Sequence, residues 1–275
     1  MAIELPEAIC LARQMNGKLK GKTIERVELG PVSASLIRQG FINLDKVDLA
    51  GMKLGSVSSE GKWLFLKLAP DSYLLFALET GGKFLYHPDK ASVPDKYHVK
   101  LAFSDGSFLT EHITGWGWAK AVKASELAQQ RYPGPLGISP VSAQFTLPCL
   151  RRLLAQQANK IVKYVLMDQR SIAGIGNGYV QDILFRAKIH PKRKAGDLGP
   201  DESHRLHRII VKTLNDAIRH GGSQSEYDLY GQSGRYRRAM GEHMKGLPCP
   251  ECGTRIEKIA VLGGASYICP RCQTQ

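Results

Sequence analysis

Four of the six cysteines stand in two CxxC pairs, "CPEC" at 249–252 and "CPRC" at 269–272, with sixteen residues between them. Each pair places two thiolates at tight-turn spacing, and two such pairs complete a tetrahedral four-cysteine shell with no open position. Cys249, Cys252, Cys269 and Cys272 are therefore the expected ligands of one structural Zn2+. A closed site of this kind supplies roughly 10–16 kcal/mol of folding energy to a segment too small to fold alone. A redox dithiol pair is the competing reading. Cys10 and Cys149 stand alone, so the pattern is metal spacing in a reducing compartment rather than a disulfide framework. The intervening "GTRIEKIAVLGGASYI" alternates like two strands around Gly263-Gly264, which predicts a zinc-stapled hairpin.

A second constellation is "IAGIGNGYVQDILF", three glycines and Asn177 immediately ahead of a helical pattern. Backbone N–H groups at such a turn, together with a helix N-terminus, suit an anion such as a phosphate. Gly176 and Asn177 are the expected contacts, with Lys160, Lys163 and Arg170 just upstream. The alternative is a helix-to-helix turn that uses glycine for tight packing. A dinucleotide fingerprint is disfavoured, because that motif needs a strand where a helical pattern precedes this turn.

The charge balance points the same way. There are 38 Lys+Arg against 25 Asp+Glu, a net charge of +13, which favours polyanions over acidic metabolites. The longest apolar run, Tyr73 to Leu78, is too short to span a bilayer, so no membrane partner is expected. No charged-then-apolar leader opens the sequence, which predicts a cytoplasmic protein associated with the nucleoid through DNA.

These groups need elements to hold them. Residues 5–19 predict a helix, with Ile9, Ala12, Met15 and Leu19 on one face and Gly17 and Gly21 at its exit. From about Thr23 to Val122 the runs are short and β-rich, and Asp105-Gly106 marks a hairpin. An antiparallel sandwich or barrel follows. "RYPGPLGISP" at 131–140 is the natural boundary, and beyond it the patterns are helical. The last long helix has Asp201 or Ser203 as its cap and stops at Gly221-Gly222. The predicted division is 1–130, a linker 131–145, a helical domain 146–240 and a zinc module 241–275.

"IELPEAI" at the start, "KIVKYVLMDQRSIAGIGNGYVQDILFRAKIHP" in the middle and the four-cysteine hairpin at the end resemble the formamidopyrimidine-DNA glycosylase and endonuclease VIII family. The resemblance implies an α+β fold: an N-terminal antiparallel β-sandwich with flanking helices, then a helix–two-turns–helix domain with a zinc-finger β-hairpin. It implies a monomer acting on double-stranded DNA with a damaged base or abasic site. The implied chemistry is base excision, in which the N-terminal amine attacks the sugar C1′ to form a Schiff base and β-elimination nicks the strand. A terminal amine suits this step because its pKa is ~7.7–8.0 against ~10.4 for lysine.

In that register Glu4 matches the family's proton-transferring glutamate, Lys62 its strand-turn lysine, and Asn177 its phosphate-gripping asparagine. Taken alone, Glu4 and Lys62 read as a solvated first-turn glutamate and a hairpin lysine. The family's terminal proline is absent: Ala2 and Ile3 precede Glu4, so the amine expected after Met removal is that of Ala2. Gly263-Gly264 stands where the family's finger carries an arginine. The loops that supply a Met and an Arg/Phe wedge read "ETGGKF" and "HITGWGW", leaving Trp116 or Trp118 as a wedge or a core residue. Three functions follow: a glycosylase/AP lyase using Ala2 or Lys62, a non-catalytic binder of damaged or abasic DNA that lost the nucleophile, and a zinc-ribbon protein of RNA or ribosome function.

Overall fold

The computed structural model describes residues 3–78, 81–130 and 133–274. Ala2, Glu79 and Thr80 of the "ETGGKF" loop, and Arg131 and Tyr132 of the expected linker lie outside the described residues. The chain divides into two compact units, one of residues up to Pro135 with Gly221–Arg235, the other of Leu136–His220 with Tyr236–Gln275.

The first unit opens with α1 (Leu5–Leu19), whose start is fixed by Pro6 in the first turn and Glu4 at the N-cap. Ala8, Leu11, Ala12, Met15 and Leu19 recur at helical spacing and are buried. Then come β1 (Ile24–Leu29), the short α2 (Ala34–Arg38), β2 (Ile42–Asn43), β3 (Lys53–Glu60), β4 (Trp63–Ala69), β5 (Ser72–Ala77), β6 (Lys83–His87), β7 (Val99–Phe103), β8 (Phe108–His112) and β9 (Trp118–Lys123). They form two sheets, ordered β2-β9-β5-β4-β3 and β1-β7-β8-β6. One departure from the all-antiparallel expectation is β2, which runs parallel to β9 through Ile42 and Asn43. Leu64, Leu66 and Leu68 of β4 join Leu101 and Leu109 of the other sheet in one core with α1. Alternation along each strand sends the intervening residues to the opposite face.

In the second unit, α3 (Leu147–Gln156), α4 (Val162–Met167), α5 (Asn177–Arg186) and α6 (Pro200–Arg219) precede the hairpin β10 (Glu257–Val261) and β11 (Gly264–Ile268). Leu150, Leu166, Ile183, Leu206, Ile210 and Leu214 are buried. The start of α6 corrects the expected cap: Gly199 is the N-cap and Pro200 opens the helix, with Asp201 and Glu202 in its first turn. The hairpin turn is also displaced. Leu262 and Gly263 occupy it at φ 57 and φ 72, and Gly264 already pairs with Val261.

The segment assigned from sequence to the helical domain divides at Gly221, and residues 221–235 pack on the first unit. Leu229 is buried in the sandwich core, Tyr86 donates its N–H to the Leu229 carbonyl at 2.9 Å, and Gln14 donates to Asp228 at 2.9 Å. Local polarity concealed this return. No helix among the described residues is long and apolar enough to cross a membrane.

Candidate functional site

The amino-terminal segment of the first unit is held by carboxylates. Glu4 is buried, at 3% exposure, so it is not the solvated side chain its position in a first turn suggested. Glu7, three residues on, accepts the Glu4 backbone N–H at 3.1 Å. Its other oxygen accepts the Ser223 N–H at 2.8 Å. Gly222 makes this approach possible: it has φ 93, and a Cβ there would lie 3.0 Å from Glu7 Cγ. Ser223 and Glu226 form a tight turn, with the Glu226 N–H donating to the Ser223 carbonyl at 3.1 Å. Glu226 is buried, and burial, with the Glu7 carboxylate adding to it, pushes its carboxyl up to about 7. Sequence reasoning missed Glu7, Ser223 and Glu226. The E-x-x-E spacing of Glu4 and Glu7 was a usable signal for the first; nothing local announced the other two.

Lys62 sits in the two-residue turn between β3 and β4, where Gly61 adopts φ 57 and Glu60 pairs with Trp63. Its ammonium lies 5.7 Å from the Trp63 ring centroid. Of the two candidate wedges, Trp118 is buried in β9, whereas Trp116 is 77% exposed and meets Phe41 edge-on at 5.8 Å.

In the second unit the glycine turn is braced from within. The Gln169 carboxamide accepts the Gly174 N–H at 2.7 Å and donates to the Ile175 carbonyl at 2.8 Å. Gly176 is the N-cap of α5 in extended backbone. The first-turn amides of a helix point outward along its axis and carry partial positive charge. Asn177 is exposed there, with its amide 3.4 Å from the Ala265 carbonyl of β11. The turn and the zinc hairpin are thus brought together. Lys160 is exposed and lies 5.7 Å from the Tyr164 ring. Lys163 departs from the expected surface contact. It is 1% exposed, donates to Ser266 Oγ at 2.8 Å, and is pushed by burial to about 8. Its geometry is that of a strut between α4 and the hairpin. Gln181 adds a second, accepting the Tyr267 N–H at 2.8 Å.

The thiol atoms of Cys249, Cys252, Cys269 and Cys272 all lie within 4.8 Å of one another. Cys249 and Cys272 are 4.0 Å apart, and Cys252 and Cys269 3.4 Å. Tetrahedral Zn–S bonds of ~2.3 Å require sulfurs about 3.8 Å apart. The donor set fits one Zn2+ with four thiolates, and the closed shell makes the site structural.

The comparisons with known proteins match three segments of the chain. Residues 2–112 match the formamidopyrimidine-DNA glycosylase N-terminal domain, residues 136–228 the H2TH domain of the same enzymes, and residues 246–275 the zinc finger found in FPG and IleRS. Formamidopyrimidine-DNA glycosylase of Bacillus cereus is 34% identical over 275 residues, covering 98% of both chains. The chain belongs to the formamidopyrimidine-DNA glycosylase family. The Bacillus subtilis member is also 34% identical, over 285 residues and 99% of both chains. Among solved structures, Lactococcus lactis Fpg in complex with DNA containing an abasic site aligns with a TM-score of 0.85 at 27% identity, over 99% of this chain and 100% of that one. MutM in complex with DNA containing carbocyclic 8-oxo-G gives 0.84 at 27% identity and the same coverage. The family's α+β architecture is the one observed here, and the four-cysteine cluster fits the structural zinc of the matched zinc finger.

Proposed function

We propose that this chain is a DNA glycosylase/AP lyase of base excision repair, acting on damaged or abasic sites in duplex DNA. The observation that carries the reading is the sealed amino-terminal segment: buried Glu4, with Glu7 tying its backbone to Ser223. A fixed Glu4 shortens the search of a terminal amine two residues ahead of it, which favours attack. The Ala2 amine attacks C1′, the bond to the base breaks, and its electron pair leaves with the base as it is protonated. The amine then loses a proton and the C1′–O4′ bond breaks, O4′ taking up a proton, which opens the sugar to a Schiff base. The resulting Schiff base acidifies C2′–H; loss of that proton and cleavage of the C3′–O bond nick the strand. Glu4 is the group assigned to proton transfer, and Lys62 is assigned to the same reaction centre. Gly176, Asn177 and Lys160 are assigned to backbone phosphates, contacts that position the protein without reading sequence. Lys163 acts indirectly, by holding the zinc hairpin beside Asn177. The protein works as a monomer wherever the cell's DNA is.

The test is incision of two zinc-loaded reactions, one with an abasic duplex and one with a formamidopyrimidine-containing duplex. β-Elimination products from the abasic duplex are expected. Tight binding with no incision of either duplex would instead indicate a binder that has lost its nucleophile. Binding carried by six to ten phosphate contacts should weaken roughly 10³–10⁵-fold between 50 and 200 mM salt.

A further inference from the structure

The outer face of the β2-β9-β5-β4-β3 sheet carries a cavity of about 460 Å³ beside Lys62, a size suited to a small ligand. Its base is a cross-strand row in which Trp63 pairs with Ala77 and Ala77 with Trp118. Strands lie ~4.8 Å apart, so the two tryptophans are anchored about 10 Å from each other with only a methyl group between. That interval accommodates a planar ring over Ala77. Gly117 lets the chain come this close, since a Cβ there would lie 2.9 Å from the Ala77 carbonyl oxygen. Phe41 and the exposed Trp116 line the mouth.

Charge narrows the ligand further. Lys62 and Lys120 both line the cavity, and no carboxylate does among the described residues. The Lys120 ammonium lies 5.0 Å from the Trp118 ring centroid. An aromatic cage would ordinarily suit a cation, but two lysines at the rim repel one. The complementary ligand is a flat aromatic ring carrying an anion.

We infer that this cavity is a stacking site for an unpaired nucleotide, its base over Ala77 between Trp63 and Trp118 and covered at the mouth by the Trp116 ring, and its phosphate at Lys62 and Lys120. The choice of a nucleotide in a DNA strand rests on the proposed function; the aromatic and cationic character of the cavity does not. A free mononucleotide shares the chemistry, and the test separates the two.

The experiment titrates the zinc-loaded full chain with deoxyadenosine monophosphate and with a five-nucleotide oligodeoxyadenylate, reading tryptophan emission. A base stacked in the slot quenches that emission. Base–aromatic stacking predicts that Trp116→Ala weakens oligonucleotide binding about 5- to 100-fold. Ala77→Leu, which fills the slot, should remove the quenching, and the exposed position of Trp116 supplies a variant that folds if Ala77→Leu does not. Tighter binding of the oligonucleotide assigns the slot to a strand, and equal affinity assigns it to the free nucleotide; either supports a nucleotide site. Wild-type affinity and quenching in a folded Trp116→Ala protein overturn it, as does no quenching by either ligand. Incision of abasic duplex, measured separately, reports on the proposed activity and does not depend on the quenching result.

Discussion

Glu7 accepts the Ser223 backbone N–H at 2.8 Å, joining two residues 216 positions apart in the chain. With its second oxygen on the Glu4 N–H, one buried carboxylate fixes both the start of α1 and the return of the chain after Gly222. Replacing Glu7 by Ala leaves two backbone donors without that acceptor. Charge-assisted bonds of this kind are worth about 1.5–3 kcal/mol each. Glu7→Ala should lower stability by roughly 3–6 kcal/mol and slow incision of abasic DNA. Urea denaturation and single-turnover incision check both; an unchanged midpoint would show that Glu7 is not the tie.

Glu226 supplies a pH dependence whose sign is set. Its carboxyl is raised from 4.5 to about 7 by burial, so the folded state holds the proton more tightly than the unfolded chain. The stabilisation is fully present below pH 4.5 and is lost as pH rises through about 7. Glu226→Gln, which is neutral throughout, should flatten the fall in Tm over that interval. A variant with the wild-type slope would place the titrating group elsewhere.

Glu111 presents a simpler case. Its side chain is buried beside Leu109 on the core side of β8, and neither carboxyl oxygen has a hydrogen-bond partner among the described residues. Burial raises its pKa well above the usual carboxylate range. An unsatisfied buried polar group costs about 1–3 kcal/mol, so Glu111→Met, of similar volume, should stabilise the protein by that order. Urea denaturation at pH 7 measures it, and a destabilised variant would reveal a role for the acid.

Lys163 joins α4 to the zinc hairpin through Ser266. Lys163→Ala removes that bond and opens space in a buried site, at a cost of roughly 2–4 kcal/mol. Hydrogen exchange of the β11 amides should accelerate while the four thiols retain zinc. Unchanged exchange would mean that Gln181 alone holds the hairpin.

Much of this was legible from residue spacing. The α1 helix followed from apolar residues at helical intervals, and the metal site from two CxxC pairs, because both are local patterns with one physical solution. The turn at Gly174–Gly178 was legible for the same reason. Glu226 and Leu229 were not, because their burial depends on a chain reversal that brings 221–235 back to a sandwich formed before residue 130. Lys163 misled for a related reason: a lysine near a phosphate-type turn reads as surface charge, and only the docked hairpin shows that its ammonium is enclosed. The Trp63–Ala77–Trp118 row needed strand register, which composition does not specify.

The proposed nucleophile is the chain's own terminal amine, on Ala2. Borohydride reduction of the zinc-loaded protein on abasic-site DNA, followed by peptide mapping of the adduct, tests it most directly. One covalent adduct on the Ala2 amine is expected, lost when that amine is acetylated. No adduct under any condition, or an adduct mapped to Lys62 that survives acetylation of the terminus, would contradict it.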